Sequence, residues 1–404
     1  MIEAAVTAAT RSDTQQIRAP DAVASNPSAE TLISMAASTP SSRKRRCLSR
    51  CMLWLGAFAL TACAPPPPRF QADALVFGSP AHFIWRADSS DQSDAALADI
   101  LQHLRQRERD WSLWQASMLT AANAACASGE WFEWPNALQA VYTPSLAFWK
   151  RSGGLFNPAA GKIIASWHLG HTADSSSSQA WHAPSAAALS AWQGDPAGMD
   201  DIEFQGRRAR CLHPDLQWDF NAIAEGAAAQ EVAERLRQRG IRDALITLGG
   251  DVLALGTAER RPWRAAIRHP DGGVAAWVEL ADGEALFTSG TYARHAEDAQ
   301  GQQWSHVIDP RSGEAVRGQR AVSVLHTDPL LADAAATALL AAKDDEVEHI
   351  AKQLGVHCLL RRDSQGEWWI AEALQPRLHW QSTPDIMHEM ALGASCGQKK
   401  SAHR

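Results

Sequence analysis

Between residues 94 and 109, DAALADILQHLRQRER, the apolar side chains Leu97, Ile100, Leu101 and Leu104 recur at spacings of three and four. That is the period of a helix with one buried face. Residues 136–151 repeat the pattern and meet a stop at Gly153-Gly154; residues 222–239 do so again, closed by Gly240. The period then changes. ALITLGGDVLALG (244–256) reads as a buried strand, a Gly-Gly turn and a second strand. Further strands are predicted over 263–268, 274–280, 303–308 and 321–326. Helices over 331–343 and 344–354 follow, then strands over 356–361 and 367–371. Polar, Ser-rich 172–180 reads as a surface loop, and weakly patterned 386–404 as a flexible tail. Interleaved helices and strands predict an α+β fold, one intertwined unit over 75–385.

Composition adds little to this until the N-terminus. The 404 residues are 46% hydrophobic and 21% charged, ordinary for a globular chain. A net charge of −7 argues against general nucleic-acid binding, which needs a basic face. Residues 1–42, rich in Ala, Ser, Thr and Pro, read as a disordered leader or an over-extended start, with Met35 as an alternative first residue. The basic run Arg43, Lys44, Arg45, Arg46 precedes the apolar stretch MLWLGAFALTA (52–62), so that 43–63 has the order of parts of a signal peptide. The apolar stretch is too short to span a bilayer. LTAC (60–63) resembles a bacterial lipobox, which implies lipidation of Cys63, with Pro-rich 64–74 as a stiff spacer from the membrane. That arrangement predicts a lipid-anchored, periplasm-facing protein. Four cysteines remain beyond it, Cys126, Cys211, Cys358 and Cys396, and they allow three pairings.

Four stretches carry candidate chemistry. In LGGD (248–251) a strand runs into two glycines that permit a tight turn and a close approach, with Asp251 beside them. In WSHVIDPRSGEAV (304–316), His306, Asp309 and Arg311 flank one turn and are candidates to hold a phosphate or ribose; the alternative is a turn whose Asp309 caps its own backbone. DFNAIAEG (219–226) is a junction into a helix, where Asp219 and Glu225 either cap the helix or line an anion-binding N-terminus. Then LADAAATALLAA (331–342) carries one carboxylate, Asp333, and one hydroxyl, Thr337, four residues apart on one helix face. An acid in so apolar a helix is costly unless something positive meets it.

Taken in order, these stretches resemble the ApbE family of flavin transferases over about residues 75–360. The resemblance begins with Ser112, Trp114, Ser117 and Asn123 in SLWQASMLTAAN. It continues through GLFNPAAGKIIASW (154–167), the 219–240 helix, the Gly-Gly hairpin, SGTYARH (289–295) with WSHVIDPRSGEAV, and VSVLHTDPLLADAAATALL (322–340). It implies a T-fold-like mixed helix and sheet domain. It implies that Asp333, Thr337 and the backbone carbonyl of Ala222 bind Mg²⁺. Leu155, Phe156, Asn157, Asp219, Glu225, Ile308 and Arg294 would contact the flavin substrate, with His306 closing the site. Several positions depart from the family pattern: Asn157 for Asp, Asn221 for Gly, Glu225 for Lys, Ala227 for an aromatic, Gln230 for Asp and Ala293 for Glu.

The activity so implied is FAD:protein FMN transfer. A Thr or Ser hydroxyl of an acceptor, a subunit of an exported redox complex, attacks FAD, and AMP leaves. His306 is the candidate base because an ordinary imidazole titrates near neutrality, with Asp251 second. Two other classes remain open: an Mg²⁺-dependent hydrolase splitting FAD, and a non-catalytic flavin-holding lipoprotein.

Overall fold

Nine strands lie side by side in one sheet, in the order in which the chain forms them. They are β1 (Arg69–Val76), β2 (Ser79–Arg86), β3 (Ala244–Leu248), β4 (Asp251–Leu255), β5 (Ala285–Gly290), β6 (Ala321–His326), β7 (Leu359–Arg362), β8 (Trp368–Ala371) and β9 (Met387–Met390). Neighbours run antiparallel except β8 and β9, which are parallel. This computed structural model describes residues 67–169, 183–292, 295–298, 301–393 and 395–396. Cys63, Arg294, the leader and signal-like segment and the 172–180 loop lie outside them.

Four long helices are inserted between β2 and β3: α1 (Ser90–Trp111), α2 (Met118–Ser128), α3 (Asn136–Arg151) and α4 (Asn221–Gln238). Two more, α5 (Pro329–Ala341) and α6 (Val347–Leu354), connect β6 to β7. α4 and α5 pack on each other and on the central strands, α4 over β3 and β4, α5 over β5 and β6. β3 and β6 are buried at every position, which is why they read as largely apolar runs, broken only by Thr247, Ser323 and His326, and not as alternating ones.

Local chemistry sets the helix ends. The Ser89 hydroxyl accepts from Gln92 N–H to start α1, and a reciprocal pair between Ser117 and Thr120 starts α2. Asp328 accepts from the N–H groups of Leu330 and Leu331, and Pro329 has no N–H to satisfy. α5 therefore begins two residues before the expected start at 331.

Three expectations are corrected. The spacer over 64–74 gives way from residue 69 onward to β1, which pairs with β2 through Val76 opposite Ser79. Phe77 and Gly78 between them both have positive φ, 52° and 73°, as a two-residue hairpin turn requires. A Phe at that position hides the turn from the sequence. The tail expected from 386 starts with β9, whose partner β8 is remote from any local period, and Cys396 is bonded to Cys358. The single strand expected over 303–308 is two, Gln303–Ser305 and Ile308–Asp309, each in its own small antiparallel pair, with His306 between them. The second disulfide joins Cys126 to Cys211, so one of the three pairings is selected.

Candidate active site

The site forms where α4, α5 and the hairpin β3–β4 meet. Asp333 and Thr337 lie one turn apart on α5, Asp333 with only 7% of its surface exposed and Thr337 half-buried. Asp333 Oδ2 accepts the backbone N–H of Gly226 on α4 at 2.8 Å. In a regular helix that N–H serves the carbonyl four residues earlier, which is Ala222. The carboxylate therefore competes with the Ala222 carbonyl for its proton. Gly226 is what lets the helices come so close: a Cβ there would lie 2.5 Å from the Pro329 carbonyl oxygen and 2.9 Å from Asp333 Cβ.

Glu225, the residue before Gly226, turns toward the hairpin. Its carboxyl rests on Gly249, where a Cβ would overlap Oε1. Gly249 and Gly250 have φ of 61° and 110°. The Gly-Gly pair thus serves both the turn and the close approach that its sequence suggested. Asp251 follows, hydrogen-bonded to the Glu225 carboxyl, with Oδ1 accepting Thr288 N–H from β5 at 2.7 Å. Burial, then the charges of Glu225 and Asp333, hold the Asp251 carboxyl well above the usual carboxylate range. Burial and Glu225 do the same to Asp333. Three carboxylates are thus held close enough to disfavour one another's charge.

On β5 the neighbouring residues take up two different partners. Thr288 Oγ1 bonds Ser323 Oγ at 2.8 Å, and Ser289 Oγ bonds Thr337 Oγ1 at 3.1 Å.

A second wall is built around the start of α4. Residues 157–161 run beside 217–219: Asp219 N–H donates to the Pro158 carbonyl at 2.8 Å and Gly161 N–H to the Gln217 carbonyl at 2.8 Å. Asn123 of α2 clasps the same segment, donating to the Trp218 carbonyl at 3.0 Å and accepting Trp218 N–H at 2.7 Å. Asp219 Oδ1 accepts Asn221 N–H at 2.9 Å, and burial raises its carboxyl. Asn157 donates to the Ala197 carbonyl at 2.8 Å and accepts Ala159 N–H at 3.1 Å, shaping its own loop.

The remaining candidates are spread more widely. Leu155 and Phe156 are core residues, 1% and 2% exposed, with Phe156 edge-on to Phe148. Ile308 packs in a small separate cluster with Trp167, Leu169 and Ala315. His306 is half-buried, preceding the hairpin that carries Ile308. Arg311 does not present a free guanidinium to a phosphate. It is bonded to Asp309 and, by two nitrogens at 2.9 Å each, to Glu346. Asp309 also accepts Arg311 N–H at 2.9 Å, so the capped-turn alternative is the one realised there. Arg311 in turn holds the Glu346 carboxyl down to about 2.

Of the sequence candidates, Ala222, Glu225, Asp251, Asp333 and Thr337 are brought together. Gly226, Thr288 and Ser289 hold them, and Asn123 holds the segment that leads into α4. Asn123, Gly226 and Ser289 each lie inside a motif of the sequence, and Thr288 borders one.

Among the described residues no group of three His, Cys, Asp or Glu side chains is arranged to hold a metal ion. The set Asp333, Thr337 and Ala222 carbonyl contains a single carboxylate, so it is a different kind of site. Its donors are all oxygen, the preference of Mg²⁺. Acidic side chains that raise one another's affinity for protons also favour a divalent cation. The residues fit the ion.

The mixed sheet with helices packed on its centre is the fold of the flavin transferases. It resembles the crystal structure of the flavinyl transferase ApbE of Pseudomonas stutzeri in its apo form, with a TM-score of 0.65 and 25% identity over 78% of this chain and 97% of that one. The ApbE family model matches residues 77–360. The chain belongs to the ApbE family. It is 38% identical over 324 residues to an FAD:protein FMN transferase of Rhodobacter capsulatus, covering 80% of this chain and 60% of that protein's length. It is 25% identical to one of Klebsiella pneumoniae, covering 80% of this chain and 94% of the relative.

Proposed function

We propose that this protein is an FAD:protein FMN transferase that attaches FMN to a Thr or Ser hydroxyl of an acceptor protein. The reading is carried by Asp333 and Thr337 on one face of α5, with Asp333 bonded to α4 one turn after Ala222. Asp333, Thr337 and the Ala222 carbonyl would hold Mg²⁺, which when bound neutralises a diphosphate and polarises the phosphorus under attack.

The chain's own groups do the rest. Asp219 and Glu225 orient the nucleotide at the start of α4. The backbone of 155–157 and of Ile308 lines the flavin site, since the side chains of Leu155, Phe156 and Ile308 are buried in the protein. Arg294 supports a phosphate. His306 takes the proton of the acceptor hydroxyl, and Asp251 is the second candidate. A new bond forms between the hydroxyl oxygen and the FMN-side phosphorus. The bond between the FMN-side phosphorus and the bridging oxygen breaks, and AMP departs with that oxygen. Positioning supplies much of the rate in such a transfer.

Cys63 is read as the lipid attachment point, which places the domain at the periplasmic face of a membrane with an exported redox subunit as acceptor. Among the described residues no helix is long and apolar enough to cross a membrane.

The test is an incubation of the protein with FAD, Mg²⁺ and a Thr-bearing acceptor peptide. A fluorescent peptide adduct with equimolar AMP is the expected result. AMP with free FMN marks a hydrolase, and unchanged bound FAD marks a carrier; either overturns the proposal. Asp333→Ala is expected to remove Mg²⁺-dependent turnover while the far-UV circular dichroism stays native.

A further inference from the structure

The hydroxyl of Thr337 has two ways to spend its proton. A threonine inside a helix commonly returns it to the carbonyl four residues back, which here belongs to Asp333. Thr337 instead has Ser289 Oγ at 3.1 Å, supplied by a different element. The placement follows from β5. Successive strand residues point to opposite faces. Thr288 pairs directly across with Ser323 and bonds its hydroxyl at 2.8 Å, which leaves Ser289 on the other face, toward α5. The backbone N–H of Thr288 meanwhile holds Asp251. One dipeptide of β5 thus fixes an oxygen on each of two elements that border the cation site.

A neutral threonine hydroxyl ligates a cation through an oxygen lone pair, so its proton must point elsewhere. We propose that Ser289 is a positioning residue for the cation site: its hydroxyl accepts the Thr337 proton and thereby turns the Thr337 lone pairs toward the metal. This rests on the reading of Thr337 as a ligand. It assigns Ser289 no contact with metal or flavin. Groups that orient a ligand in this way commonly matter for affinity almost as much as the ligand does.

The experiment compares Ser289→Val with Ser289→Thr, two side chains of the same shape that differ in the hydroxyl alone. Ser289→Ala, smaller than the native residue, guards against a packing failure of valine. Mn²⁺ is titrated into each purified protein, and free Mn²⁺ is read by electron paramagnetic resonance. FAD binding in EDTA is measured alongside, and a merely structural defect would weaken it. The expected result is a loss of Mn²⁺ affinity of about 10- to 100-fold in the Val and Ala variants, near-native affinity in the Thr variant, and FAD binding in EDTA unchanged in all three. Native Mn²⁺ affinity in Ser289→Val and Ser289→Ala, while Thr337→Ala has lost it, overturns the role of Ser289 alone. Native affinity in Thr337→Ala overturns the ligand reading, and the role of Ser289 with it.

Discussion

Asp333 on α5 accepts a hydrogen bond from the backbone of Gly226 on α4 at 2.8 Å. The contact joins two helices about a hundred residues apart in the chain, and it does so through a carboxylate that is also the candidate metal ligand. A change in the spacing of these helices therefore also moves the candidate ligand.

Gly226→Ala tests that coupling. The added methyl meets the Pro329 carbonyl oxygen and Asp333 Cβ, so α5 must move away from α4. Overpacking of this kind costs about 1–3 kcal/mol. The expected outcome is a lower denaturant midpoint together with weaker Mg²⁺ binding by calorimetry. Retention of both would show that the helices tolerate separation.

Asn123→Ala removes both bonds to the backbone of Trp218 and leaves a buried N–H and carbonyl unpaired. A loss of about 1–3 kcal/mol is expected in urea unfolding. Because the clasped segment leads directly into Asp219 and α4, the KM for FAD is expected to rise in the same variant. Leu is a poorer choice of probe, since it would add a clash to the lost bonds.

Glu346 is held down to about 2 by the Arg311 guanidinium, well below its ordinary range near 4.5. A depressed carboxyl stabilises the fold above its unfolded value and loses that contribution as pH falls through the native one. Glu346→Gln is therefore expected to lower the melting temperature at neutral pH by an amount equivalent to about 1 kcal/mol. The gap between variant and native protein should close as the solution is taken from about pH 4.5 to about pH 2. Differential scanning calorimetry at several acid pH values reads it directly. A gap that widens in acid would contradict the assignment.

The Cys358–Cys396 bond ties the residues after β9 to the start of β7, closing a separation of 38 residues. Replacing both with Ser is expected to cost about 2–4 kcal/mol. Proteolysis should then begin near β9, and non-reducing peptide mapping of the native protein should recover Cys126 with Cys211 and Cys358 with Cys396. Crossed pairings would refute the topology of the last strands.

Much of the architecture was legible because the responsible forces are local. The strands 263–268, 274–280 and 321–326 fall where alternation and apolar runs put them, and α3 spans the expected 136–151. Asp333 and Thr337 stood out because an acid in so apolar a helix is costly unless something meets it, and the Gly226 N–H is one such partner. The β1–β2 hairpin was hidden by Phe77 at a position where Asn or Asp normally advertises the turn. β9 was hidden since its one strand partner among the described residues is parallel and its anchor is a disulfide.

The sequence by itself determined the periods of the elements, the helix caps and the family motifs, all of which depend on residues within a few positions of one another. Which groups meet was decided only by the tertiary structure. Ser289 reaches Thr337, Glu225 rests on Gly249, and Arg311 is consumed by Glu346. Hydrogen bonds and charge act over a few ångströms of space, and separation along the chain does not encode that distance.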